Sequence, residues 1–87
     1  MEKQELIENI KNGTLKFNEL KGSEKQIKWA TELRAKNLKA AINELNEDLE
    51  DADNDLNNEF VVEDLEDIEE IINEANASTI ISWKTSY

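Results

Sequence analysis

Eighty-seven residues carry 21 acidic and 10 basic side chains and no histidine, for a net charge of −11; there is no cysteine or proline and only two glycines. Without Cys or His the chain offers no thiolate or imidazole, which excludes Cys/His zinc sites, Ser–His and Cys–His triads, redox pairs and imidazole proton shuttles. So few turn residues argue against an all-β fold, and the length argues for one domain over 1–87, one that hides only about 60–65% of the surface its unfolded chain exposes. The start, MEKQELIENI, has no apolar run of signal-peptide length, and no segment is apolar enough to span a bilayer, so a soluble cytoplasmic protein is expected.

A first helix is expected over about 3–11, with Leu6, Ile7 and Ile10 on one face and Gly13 as its stop. Residues 12–22 form a connector in which Leu15, Phe17 and Leu20 pack down; their alternation with polar residues also allows an edge-strand turn. Ser23 and Gln26 make a capping box that opens a long helix over about 23–56. From Leu38 its apolar positions are Leu38, Ile42, Leu45, Leu49, Ala52 and Leu56, spaced as a heptad seam. Upstream, Ile27, Trp29, Ala30 and Leu33 mark a shifted face, so the two parts of the helix should meet different neighbours. Trp29 is expected in the core against the C-terminal segment.

A break is expected near Asp55–Glu59, followed by a helix over about 61–76. There Val61, Leu65, Ile68, Ile72 and Ala75 repeat the 4-3 spacing, with Ile71 widening the face. Two such seams joined by a short turn suggest an antiparallel α-hairpin. A short segment over 78–87 closes the chain, with Ser78 as its cap; its β-branched and aromatic content leaves helix, strand or ordered tail open. Trp83 and Tyr87 there can latch the bundle or face a partner. The fold class expected is all-α, a small helical bundle.

The charge is unevenly distributed. Residues 1–39 hold nine bases against six acids, whereas residues 40–87 hold fifteen acids and one base, Lys84. The bases Lys25, Lys28, Arg34, Lys36 and Lys39 cluster on one helix and suit pairing with the acidic half, within the chain or across a dimer. Asp51, Asp53, Asp55, Asn57 and Glu59 imitate the alternation of an EF-hand loop, but Leu56 replaces the required glycine and Val62 the closing glutamate. No metal or cofactor is expected from this pattern. Every acid falls on the polar side of the heptads, so no carboxyl should be buried enough for acid–base catalysis, and an enzyme is not expected.

The acids do form rows. Glu44, Asp48, Asp51 and Asp55, with Glu47 beside them, line one helix face; Glu59, Glu63, Glu66 and Glu70 line another. Side chains at these spacings stand about 5–6 Å apart, comparable to phosphates along a nucleic-acid strand. Ordinary exposed helices mix signs to gain i,i+4 pairs; this stretch has no Lys or Arg to do so. These nine acids are the candidate partner-binding residues. They suit a Lys/Arg-rich groove that otherwise holds nucleic acid. A plain solvated face on a homodimeric adaptor, paired through the heptad seam, is the alternative.

At Gly22–Lys36 the sequence reads GSEKQIKWATELRAK. Gly22, Ser23, Glu24, Lys25, Gln26, Ile27, Trp29, Ala30, Leu33 and Arg34 resemble a segment found in many small phage and prophage proteins. Those proteins often end in an aromatic Trp-Trp-Ile-Asp motif, which Ile81-Ser82-Trp83-Lys84 echoes only in part. The likeness covers about fifteen of the 87 residues, marks a helix start and assigns no chemistry. By class, small acidic phage proteins resemble inhibitors of host defence, including anti-CRISPR proteins, which implies a basic host partner such as a CRISPR nuclease in the host cytoplasm.

Overall fold

The computed structural model describes residues 2–83. They form an all-α fold of four helices: α1 (Lys3–Asn12), α2 (Glu24–Asp51), α3 (Glu59–Asn73) and α4 (Ala77–Trp83). At about 1.5 Å per residue, the 28 residues of α2 reach nearly the full 43 Å length of the molecule. Helices α3 and α4 pack against it, and α1 joins the core through Leu6 and Ile7. No described helix is long and apolar enough to cross a membrane.

Gly13 ends α1 in the left-handed region at φ 68°. Its N–H donates to the Ile10 carbonyl and that of Thr14 to Asn9, a Schellman motif that satisfies two orphan carbonyls. The capping box forms as its residues require, Gln26 N–H donating to Ser23 Oγ (3.2 Å) and Ser23 N–H to Gln26 Oε1 (3.1 Å). Gly22 precedes it at φ 152°, where a Cβ would come within 2.9 Å of Gln26 Oε1 and 3.2 Å of Ala77 Cβ. The absence of a side chain at Gly22 thus clears room for both the cap and α4.

Helix α2 stops at Asp51, five residues before Leu56. Asp53 and Asn54 turn into the left-handed region (φ 53° and 62°), which Asp and Asn adopt more readily than most residues, and Asn54 N–H returns to the Leu49 carbonyl. Asn58 then caps α3, its Oδ1 accepting the N–H groups of Phe60 and Val61. With that cap in place α3 begins at Glu59, two residues earlier than expected. It ends at Asn73, not Asn76, because the connector takes over its last carbonyls. Asn18 N–H donates to Ile72 O (3.0 Å), and the Asn18 amide donates to Asn73 O. Lys21 N–H donates to Ala75 O, and Ala77 N–H donates back to Lys21 O. The strand-like reading of the connector survives only as this single Lys21–Asn76 bridge. The closing segment is helical and starts at Ala77, one residue before the expected cap Ser78.

Two apolar clusters make the core. Leu6 and Ile7 of α1, Ala41, Leu45 and Leu49 of α2, and Val61, Leu65, Ile68, Ile71 and Ile72 of α3 form the larger. Leu20, Ala30, Ala77 and Ile80 form the smaller, so the first part of α2 meets α4 and the second meets α3. Trp83 packs against both clusters. Tyr87, the other aromatic expected in a latch, and Lys84 lie outside the described residues. Trp29 is not a core residue: it is 49% exposed, because the buried line of α2 runs through Ala30, Asn37, Ala41, Leu45 and Leu49 and turns its neighbour outward. Phe17 likewise stays 45% exposed, lying 4.7 Å beneath the Arg34 guanidinium, while Leu20 is the connector residue that is buried.

Candidate functional site

The acidic residues stand on two helices whose apolar faces fix their direction. On α3, at about 100° per residue, Glu59, Glu63, Glu66 and Glu70 point away from the buried line of Val61, Leu65 and Ile68. All four are exposed. On α2, Glu44 and Asp51 flank the buried line, Glu47 points further outward, and Asp48 is half-buried at the edge of the α2–α3 contact. Asp55 is exposed but does not extend the α2 row. It lies in the turn, and its Oδ1 accepts the Asn57 N–H (3.0 Å), so its place is set by the turn and not by a helix face.

Two carboxylates outside the expected set bind these rows into one surface. Asp64 is 7% exposed, inside the contact between α2 and α3. Asp67 is half-buried on the same flank of α3. Burial first, then the Asp48 side chain with its hydrogen bond and charge, and then Glu44 and Asp67, push the Asp64 carboxyl up to about 7. Asp67 is raised by burial, then by Glu70, Glu63, Glu44 and Glu66. Asp67 therefore feels the α3 row on one side and the α2 row on the other. Asp64 lies under the influence of Asp48 and Glu44 of α2, and Asp67 under that of Glu44.

The expectation that every acid lies on the polar side fails at Asp64. Its Oδ2 is buried and meets no N–H or O–H donor. Burial and the like charge of Asp48 both favour the protonated form of this carboxyl. Carboxylate oxygens of Glu44, Asp48 and Asp64 lie within 4.8 Å of one another, close enough to face one ion. The signal for Asp64 was in the sequence, one heptad before Ile71. That position widens the buried face of α3, so an acid there is carried into the contact.

Comparison of the chain with protein-family models, curated proteins and solved structures returns no match. Functional reasoning therefore rests on the acidic surface itself. From Ala40 to Trp83 the sequence holds no Lys or Arg.

Proposed function

We propose that this chain inhibits a host nucleic-acid-binding defence protein by occupying its Lys/Arg-rich groove with an acidic surface. In this reading it is a phage-encoded, anti-CRISPR-like inhibitor working in the host cytoplasm and is not an enzyme. The observation that carries it is the run of carboxylates from Glu44, Glu47 and Asp51 through Asp67 to Glu59, Glu63, Glu66 and Glu70, all within a stretch of sequence, 40–83, that holds no Lys or Arg. Fixed on packed helices, these carboxylates stand at i,i+3 and i,i+4 spacing, so a groove shaped for phosphates meets charge at comparable intervals without ordering a flexible ligand. The likeness of residues 22–36 to phage proteins points the same way.

The test is a gel-shift assay in which the purified protein competes with target DNA for a guide-loaded CRISPR nuclease, at low and high salt. Binding should weaken steeply with salt. Reversing Glu59, Glu63, Glu66 and Glu70 together should lower competition by about 30- to 1,000-fold, taking about 0.5–1 kcal/mol per exposed charge. Unchanged competition by the reversed variant would overturn mimicry.

A second reading, a homodimeric adaptor, is favoured by one feature. Leu45 and Ile68 are buried within the chain, but Leu38 and Ile42 of the heptad seam line an open groove of about 420 Å³ with Phe17 and Arg34. A dimer through that groove would dissociate on Ile42→Lys, as read by sedimentation, whereas changes at Leu45 or Ile68 would unfold the monomer.

A further inference from the structure

The α2–α3 contact contains a charge arrangement that suits a cation and that joins two acids of the α2 row to the buried Asp64, which partner mimicry does not use. Glu44 and Asp48 stand one turn apart on α2, and Asp64 reaches them from α3, so the three carboxylates come from both sides of a helix interface. Their oxygens lie within 4.8 Å of one another. Asp64 contributes from inside the protein, 7% exposed and with Oδ2 lacking any donor. Buried carboxylates are ordinarily paired with a cation or with several N–H groups. The Oδ2 atom of this one meets none, and Asp48 beside it adds a like charge.

We propose that Glu44, Asp48 and Asp64 form a binding site for a hard divalent cation, Ca²⁺ in particular, clamped between α2 and α3. The donors are all carboxylate oxygens, the set that suits Ca²⁺, Mg²⁺ or Mn²⁺ over softer metals. Ca²⁺ accepts six to eight oxygens at about 2.3–2.6 Å in flexible geometry, so small side-chain adjustments suffice to bring oxygens at this spacing onto one ion. Mg²⁺ holds its ligands at about 2.0–2.1 Å in a strict octahedron and usually keeps several waters, so it is suited to fewer protein carboxylates than converge here. Three carboxylates offer as many as six oxygens, and exposed Glu44 leaves one side open for entry and for water. The site is distinct from the EF-hand-like alternation at Asp51–Glu59, whose Asp55 and Asn58 are engaged in the turn and the α3 cap.

The experiment is calorimetric titration of chelator-treated protein with CaCl₂ at physiological salt, paired with thermal melts in Ca²⁺ or Mg²⁺. The expected result is one saturable Ca²⁺ site and a rise in Tm larger than with Mg²⁺. Asp64→Asn and Glu44→Gln should each weaken binding by at least the roughly 10- to 100-fold that loss of an outer-shell partner already produces. Glu44 is exposed, so its variant keeps the fold and tests the site independently of Asp64. A Glu63→Gln/Glu66→Gln variant removes more surface charge but no proposed ligand, and it should bind Ca²⁺ as the parent does. Equal loss in that variant, or none in Asp64→Asn and Glu44→Gln, would reduce the effect to diffuse counterions and overturn the proposal. An equal response to Mg²⁺ would overturn the assignment to Ca²⁺. Neither result bears on competition for a CRISPR nuclease.

Discussion

Replacing Asp64 by Asn should make the protein more stable at pH 8. The carboxyl titrates near 3.8 in an unfolded chain and is pushed up to about 7 in the fold, chiefly by burial and by Asp48. Because the folded value is raised, the folded state binds more protons than the unfolded state between these two values. The contribution of this group is then complete below about pH 3.8 and is lost as pH rises through about 7. At about 1.4 kcal/mol per pKa unit, the whole difference is on the order of 4 kcal/mol. That is a ceiling, since the site is not sealed from water. Asn keeps the shape, removes the charge and offers an N–H₂ to Asp48, so a gain of about 2–4 kcal/mol is expected at pH 8. For a domain of this size that corresponds to roughly 4–8 °C in Tm per kcal/mol. Urea unfolding of parent and variant in EDTA, from pH 5 to pH 8, measures it directly. The curves should approach each other at pH 5 and separate as pH rises. A constant difference across that range, or a variant no more stable at pH 8, would refute the ionisation account of Asp64.

Three further outcomes follow from the packing and caps. Trp29→Ala should change stability by no more than about 0.5 kcal/mol, whereas Ile68→Ala should cost about 2–5 kcal/mol; denaturant midpoints of the two variants decide whether the core runs through Ala30 or Trp29. Asn58→Ala should cost about 1 kcal/mol in the same assay, because two α3 N–H groups lose their acceptor. Gly22→Ala should destabilise by at least about 1 kcal/mol in a thermal melt, since a Cβ meets both Gln26 and Ala77 at a φ that favours glycine.

The local signals in the sequence carried most of the fold. Gly13 and the Ser23–Gln26 box mark their helix ends by chemistry that acts within a few residues, so their positions were legible. Helix ends set by distant partners were not. α3 stops at Asn73 because Asn18, far away in sequence, takes its carbonyls, and α2 stops at Asp51 because Asp53 and Asn54 turn left-handed although the apolar spacing continues to Leu56. At Trp29, size suggested burial, but the direction of the Ala30–Leu49 line decided it. The acidic rows were legible as rows. Their union through Asp67 and the burial of Asp64 depend on which flank of α3 meets α2, which one helix's spacing does not contain.

The bonds from the connector to α3 also order the steps of folding. Helices α2 and α3 are neighbours along the chain and can associate after closing a seven-residue turn, a short and entropically inexpensive loop. The end of α3 matures only when Asn18, 55 residues before Asn73, docks against it. Its last turn is therefore protected by a long-range contact, and amide exchange there should follow release of residues 14–22 and not fraying of α3 itself. A variant that loosens the connector, such as Asn18→Ala, should accelerate exchange at the amides of the last α3 turn while leaving those of the α2–α3 centre slow.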